Sequence, residues 1–202
     1  LAVAINEDPN VFTFKDGTQI AVPFALNEQQ IEALYRLEEF YKNPAKTNYQ
    51  ITLKGYAGTG KTTIISFFDK YLKTKFVRPA YTSPTHRANA VTKQNNPLAR
   101  VLTLHSLFGL SPDFKLENGD YTLEDLEFAQ QNQPKLQGGE TVIVDESSMV
   151  NDALSRFLDG AKEDLGIKII YVGDPAQLKP VKQDTLSRVF SEGEQIELTK
   201  VE

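Results

Sequence analysis

Between residues 55 and 62 the chain reads Gly55-Tyr56-Ala57-Gly58-Thr59-Gly60-Lys61-Thr62, which satisfies the pattern Gly-x-x-x-x-Gly-Lys-Thr in full. The chemistry of such a run is phosphate binding. Glycines let the backbone bend and come close to phosphate oxygens, successive N–H groups turn inward, and a helix starting at Lys61 offers the positive end of its dipole. Lys61 is expected to reach the β- and γ-phosphates and Thr62 to offer its hydroxyl to Mg²⁺, with Gly55, Ala57, Gly58, Thr59, Gly60 and Thr63 completing the nucleotide-binding segment. A triphosphate site also needs an acid for the metal, and the apolar run Val142-Ile143-Val144 ends in Asp145-Glu146. Asp145 is expected to hold Mg²⁺ with Thr62, and Glu146 to orient and polarise the attacking water. A third segment, Gly173-Asp174-Pro175-Ala176-Gln177, brings Gln177, whose uncharged amide can sense the γ-phosphate or the attacking water. The expected catalytic set is therefore Lys61, Asp145, Glu146 and Gln177. Taken singly, each segment has a structural alternative: a glycine-rich helix cap, an acidic helix start and an ordinary Gly-Asp-Pro turn.

These groups need a scaffold that brings them to one edge. Short apolar runs at 51–53, 80–82, 141–144 and 169–172 alternate with helical segments at 61–73, 86–95, 151–164 and 184–191, and a last strand is expected at 196–198. That alternation predicts an α/β fold, a parallel sheet with helices on both faces, and right-handed crossovers put the strand ends and their ligand along one edge. Upstream, Val11-Phe12-Thr13-Phe14 and Thr18-Gln19-Ile20-Ala21-Val22 flank Asp16-Gly17, a turn signal for a small β-hairpin. Asn27 can cap a helix in which Ile31, Leu34, Leu37 and Tyr41 recur at helical spacing, ending near Asn43-Pro44. Residues 107–139 break the alternation. There Phe114-Lys115-Leu116 and Tyr121-Thr122-Leu123 around Asn118-Gly119 predict a second hairpin in an inserted subdomain.

Composition narrows the class. The chain has 202 residues, enough for one domain with an insertion but not for two full lobes. With no Cys, thiolate metal sites are excluded, and two His argue against a histidine-built zinc site, so a metal here is expected to be oxygen-ligated. No stretch reaches the ~20 apolar residues needed to span a bilayer, and the N-terminus lacks the basic start of a signal peptide. The expected partners exclude a membrane, and the expected location is the cytoplasm. The chain does not begin with Met, which suggests a piece of a longer protein. The net charge of −5 argues against nucleic acid, but its distribution argues the other way. Residues 61–100 hold eight Lys/Arg against one acid, while residues 111–164 hold four against thirteen.

With these motifs in hand, the chain from about Leu26 to Glu202 resembles the first motor domain of a superfamily 1 DNA helicase of the RecD-like and Dda-like group, a RecA-like P-loop NTPase fold. The resemblance implies ATP and Mg²⁺ as ligands and single-stranded DNA as partner, a monomer, and 5′-to-3′ translocation. It divides the chain into an N-terminal hairpin extension (1–25), a motor domain (26–106 and 140–202) and a small inserted domain (107–139) whose hairpin acts as a pin. Leu26-Asn27-Glu28-Gln29-Gln30 resembles the group's Q motif, so Gln30 would read the adenine edge, with Gln29 its neighbouring alternative. Ser83-Pro84-Thr85-His86-Arg87-Ala88 and Thr103-Leu104-His105-Ser106-Leu107 resemble the segments that contact DNA, which nominates Pro84, Thr85, His86, Thr103, His105 and Ser106. Hydroxyls, helix-start N–H groups and a stackable imidazole suit phosphates and bases, although a capping Thr or a surface His is an equally ordinary use of these residues. Tyr121 or Phe114 could stack on a separating base or close a small hairpin core. In this family an arginine follows residue 202 and a second RecA-like domain supplies another. The 202 residues alone are accordingly expected to hydrolyse ATP very slowly. A P-loop ATPase switch and a pure nucleic-acid-binding module are the rival functions.

Overall fold

The computed structural model describes residues 8–44, 49–84, 89–90, 92–93, 99–112, 128–130, 135–177 and 185–200. Six strands build the main sheet: β3 (Gln50–Gly55), β4 (Ala80–Ser83), β5 (Arg100–Thr103), β8 (Thr141–Val144), β9 (Lys168–Gly173) and β10 (Glu194–Leu198). Their order is β10-β3-β9-β8-β4-β5, and every neighbouring pair is parallel. Alternation along the strands divides the interior in two. Ile143, Ile170 and Val172 face one layer with α1 (Glu28–Lys42) and α2 (Lys61–Thr74). Val142, Val144, Ile169 and Tyr171 face the other, with α3 (Leu104–Phe108) and α4 (Asp152–Leu165). Strands buried on both faces read as near-continuous apolar runs, which is why β8 and β9 were legible. The expected α/β fold is borne out.

The small hairpin of β1 (Val11–Thr13) and β2 (Gln19–Ala21) forms as expected. Two three-residue strands are not stable alone. Phe12, Phe14, Ile20 and Val22 are buried in the α1–α2 layer, and Phe14 packs against Tyr71 of α2 at 4.2 Å between ring centroids. A polar latch closes the contact. Asp16 accepts from the Tyr71 hydroxyl at 3.0 Å and pairs with Lys75 at 2.8 Å, while Glu38 of α1 accepts from the backbone N–H groups of Lys15 and Asp16. Burial alone would raise the Asp16 pKa, but hydrogen bonds from Lys75, the Thr18 backbone and hydroxyl, and Tyr71 outweigh it and hold the carboxyl well below the usual carboxylate range. The folded pKa lies below the unfolded one. Asp16 therefore stabilises the fold fully above the ordinary Asp pKa of ~3.9, and that contribution is lost as pH falls toward the folded value. Asp16→Asn is expected to lower stability by about 1 kcal/mol at neutral pH, the value left to a charged hydrogen-bonded group after solvent screening, and to flatten the acid limb of a pH–stability curve followed by circular dichroism.

Asn27 caps α1 as expected. Its side chain accepts from the Gln30 N–H, and the Gln30 side chain accepts from the Asn27 N–H, a reciprocal capping box. At the other end of α1 the buried Lys168 ammonium donates to the carbonyls of Phe40, Tyr41 and Asn43, tying the helix to the start of β9.

Two expectations change. The helix at 184–191 is a single 3-10 turn, Arg188–Phe190, preceded by non-helical residues 185–187. Only Val189 and Phe190 supply burial there, and the Ser187 hydroxyl is pinned to the Val150 carbonyl at 2.7 Å. β5 is an additional strand. As an edge strand it is at best half-buried, and its sequence Arg-Val-Leu-Thr carries little apolar signal before running into α3. Leu107, Phe108 and Leu136, at the two ends of the 107–139 segment, lie in the core beneath α4. Between them β6 (Leu110–Pro112) pairs antiparallel with β7 (Phe128–Gln130). The hairpin expected at 114–123 falls outside the described residues, as does most of the helix at 86–95, of which residues 89–90 and 92–93 are helical.

Candidate nucleotide site at the carboxyl edge of the sheet

All six strands point the same way, so Gly55, Gly173, Val144, Ser83 and Thr103 end on one edge. The phosphate loop leaves β3 at Gly55, and Gly58 and Gly60 have φ of 79° and 84°, the left-handed region that glycine enters without strain. Gly55 is needed for another reason. A Cβ there would lie 2.5 Å from Thr59 Oγ1 and 2.6 Å from the Leu198 carbonyl oxygen. Tyr56, Ala57 and Gly58 are exposed, whereas Thr59 is buried with its hydroxyl donating to the Tyr56 carbonyl at 2.8 Å. Lys61 folds back over the loop and donates to the carbonyls of Gly55 and Tyr56 at 2.7 and 2.8 Å. Thr62 and Thr63 follow in the first turn of α2.

Asp145 emerges from β8 with its N–H on the Thr82 carbonyl at 2.8 Å, and its Oδ1 accepts from the Glu146 N–H at 2.9 Å. Glu146 has φ of 54°. A side chain other than glycine in that region is a local strain, of the sort found where function fixes the backbone. Burial lowers the Lys61 pKa, and Asp174, Asp145 and Glu146 oppose the shift. Burial likewise raises Asp145, against the Glu146 hydrogen bond and Lys61, and raises Glu146 with help from Asp145. Lys61, Asp145, Glu146 and Asp174, on three separate loops, lie close enough for their charges to act on one another. Gln177 is exposed at the end of the third loop, its N–H on the Asp174 carbonyl at 3.1 Å.

The sequence reading missed Asp174, which it treated as part of a turn. Asp174 is buried, accepts from the Ala176 N–H at 2.8 Å, and heads the charges that oppose the shift at Lys61. Only its place after a buried strand could have signalled this. Gly173 and Ser147 were missed as well. A Cβ on Gly173 would lie 2.5 Å from Ser147 Oγ, so the loop after β8 and the loop after β9 touch without a side chain between them.

Thr62 and Asp145 both line a cavity of about 320 Å³. An oxygen pair of one hydroxyl and one carboxylate, with phosphate oxygens and water completing the shell, fits Mg²⁺. No cluster of three or more His, Cys, Asp or Glu suited to a metal occurs among the described residues.

Of the two adjacent glutamines, Gln30 is buried and lines a second cavity of about 260 Å³ with Phe24, Ala25 and Asn27. Gln29 instead binds the Thr199 hydroxyl and the N–H groups of Thr199 and Lys200. Of the nominated DNA contacts, Pro84 and Thr103 follow or end the paired strands β4 and β5, which brings them to the same edge. Thr103 caps α3 by accepting from the Ser106 N–H at 3.2 Å, the ordinary structural use of such a residue. The Ser106 hydroxyl accepts from Lys135 at 3.3 Å, and His105 is half-buried in α3. Thr85, His86 and Tyr121 fall outside the described residues, and so does Phe114.

A parallel sheet with a glycine-rich phosphate loop, a paired carboxylate on the next-but-one strand and a polar loop beside it defines a P-loop nucleoside triphosphatase domain of RecA-like form. A family description of an AAA domain matches residues 25–202. The chain belongs to that AAA domain family, and the resemblance to superfamily 1 helicase motor domains is borne out by its relatives. It is 31% identical over 144 residues to the ATP-dependent DNA helicase Pif1 of Psychrobacter sp. (strain PRwf-1), covering 67% of this chain and 20% of that protein. It is also 31% identical over 181 residues to the uncharacterized protein R530 of Acanthamoeba polyphaga mimivirus, covering 81% of this chain and 35% of the relative. Among solved structures the Pif1 helicase of Candida albicans shares the fold, with a TM-score of 0.56 at 23% identity over 89% of this chain and 41% of the other. The chain thus spans about a third or less of the curated relatives it matches. No helix among the described residues is long and apolar enough to cross a membrane.

Proposed function

We propose that the chain is the ATP-hydrolysing first motor domain of a DNA helicase that translocates on single-stranded DNA. The observation that carries this reading is the convergence of Lys61, Asp145, Glu146 and Asp174 at the mouth of the phosphate loop. The loop's N–H groups and the start of α2 hold the triphosphate, and Lys61 leaves the Gly55 and Tyr56 carbonyls to meet the β- and γ-phosphates. Thr62 and Asp145 hold Mg²⁺, which when bound neutralises charge on the phosphate oxygens. Glu146 orients the attacking water and accepts its proton, and Gln177 reads the γ-phosphate. Gln30 meets the adenine in the cavity it shares with Phe24.

Contact between the loops after β8 and β9, through Ser147 and Gly173, passes the state of the γ-phosphate to the carboxyl edge. There the chain ends of β4 and β5 hold single-stranded DNA by backbone charge and stacking, with little sequence preference. The 5′-to-3′ direction and a monomeric state rest on the family resemblance. Among the described residues no arginine contributes to the field at Lys61, Asp145 or Glu146. Slow turnover by the chain alone rests on the family resemblance, since arginine stabilisation of the transition state supplies ~10³–10⁵ in rate in related hydrolases.

Phosphate release measured with and without oligothymidylate tests the reading. Slow Mg-ATP turnover that rises on adding single-stranded DNA, with affinity falling steeply as salt rises, is the expected result. Turnover indifferent to DNA would favour an ATPase switch. Absence of both ATP and DNA binding would end the motor assignment.

A further inference from the structure

Phe76, just beyond α2, has two features that its own fold does not explain. Its φ is 59° and its ring is 97% exposed. The position closes α2 with a Schellman turn, in which the Val77 N–H donates to the Leu72 carbonyl and the Phe76 N–H to the Lys73 carbonyl, both at 3.0 Å. Glycine fills such a position without strain, and a residue with a Cβ does not. The phenyl ring here brings strain to the backbone and gains no burial in return. Outliers of this sort gather where a surface does something other than fold.

Its surroundings narrow the occupant. Residues 70–79 hold Lys70, Lys73, Lys75 and Arg78 and no acid, within a chain whose net charge is −5. Asp69 and Asp16 pair with Lys73 and Lys75 from outside that stretch, and Arg78 is exposed. Among the described residues Phe76 is the only exposed large apolar side chain on α2 or its C-terminal turn. A protein hot spot sits inside a ring of further packed contacts, which a lone ring among cations does not have. A stacking face beside exposed cations is instead the arrangement that grips a single strand. The helix runs back against the parallel strands, so this turn lies toward the amino edge, close to Ala80 at the start of β4 and at the far end of α2 from Lys61.

We propose that Phe76, with the exposed Arg78 and the half-exposed Lys73, forms a second contact for single-stranded nucleic acid at the amino edge of the sheet. It rests on the reading of the chain as a single-strand-handling motor, and adds to it a contact remote from the nucleotide. The ring stacks on a base of any identity while the cations meet phosphates.

The test uses fluorescence anisotropy of a labelled oligothymidylate with the unaltered chain, Phe76→Gly, Phe76→Tyr and, as a reference at the other edge, Ser106→Ala. Phe76→Gly should bind about tenfold more weakly, while Phe76→Tyr binds as the unaltered chain does. Because glycine relieves the positive φ, the melting temperature of Phe76→Gly should rise at the same time, a divergence that a purely structural role would not produce. Unchanged binding by Phe76→Gly with weaker binding by Ser106→Ala would overturn the second contact and leave the motor reading standing. Failure of the unaltered chain to bind at low salt would remove both. Unchanged DNA affinity, with Phe76→Gly reducing an assembled species to single chains in solution, would assign the ring to a protein contact and likewise overturn the proposal.

Discussion

Lys61→Ala should weaken Mg-ATP binding about 100-fold, measured by titration of a fluorescent ATP analogue, while leaving the melting temperature nearly unchanged. On the proposed reading the ammonium meets the triphosphate, and two charge-assisted hydrogen bonds to phosphate oxygens contribute ~3 kcal/mol together, or about two factors of ten. In the described state the same ammonium donates to the carbonyls of Gly55 and Tyr56. On the proposed reading those contacts are exchanged for phosphate contacts when nucleotide binds. Their loss is offset by solvent, because the Tyr56 turn is exposed. The three carboxylates around Lys61 add a second consequence. Without the cation they repel the triphosphate, so Lys61→Ala should be worse than Lys61→Arg, which keeps the charge in a different geometry. Equal affinity for the alanine variant and the unaltered chain would mean that the loop does not hold the triphosphate.

The second large effect is expected at Glu146. Replacing it with Gln should lower the rate of ATP hydrolysis by about 10²–10⁴, the usual contribution of a positioned general base, with ATP affinity held within a few-fold. The substitution keeps the size of the side chain. It also keeps the positive φ at this position, because Gln is no better suited to the left-handed region than Glu. A fall in rate with intact binding would therefore report on the carboxylate and not on a rearranged loop. Single-turnover phosphate release together with the nucleotide titration separates the two quantities. If Glu146→Gln loses affinity and rate in parallel, Glu146 holds nucleotide and does not orient water.

Much of this site could be read before the fold was known, because its parts are local. The glycine spacing of 55–62, the carboxylates after Val144 and the buried runs of β8 and β9 each state their role within a few residues. What could not be read was set across the chain. Asp174 belongs to the field at Lys61 only because β9 lies next to β3 in the sheet, an adjacency that sequence order hides. The close approach of Ser147 to Gly173 likewise exists only after two crossovers. β5 was missed because an edge strand is half-solvated and has no period-2 contrast to display. The turn at 188–190 was taken for a helix because a few apolar residues at helical spacing resemble one until the pinning of Ser187 is seen. Gln29 and Gln30 could not be told apart by type. Their opposite bonding, one inward to the capping box and one to Thr199 and Lys200, separates them.

The family match begins at residue 25, yet the cooperative unit begins earlier. Trimming the chain at that border would strip Phe12, Phe14, Ile20 and Val22 from the layer they share with α1 and α2, and would leave Glu38, fully buried at present, without the two backbone donors it now accepts from. Each helix would then present an aromatic ring to water, Tyr35 on one and Tyr71 on the other. A shortened recombinant product would be prone to clump, so a border drawn by sequence similarity is a poor guide to where this domain can be cut.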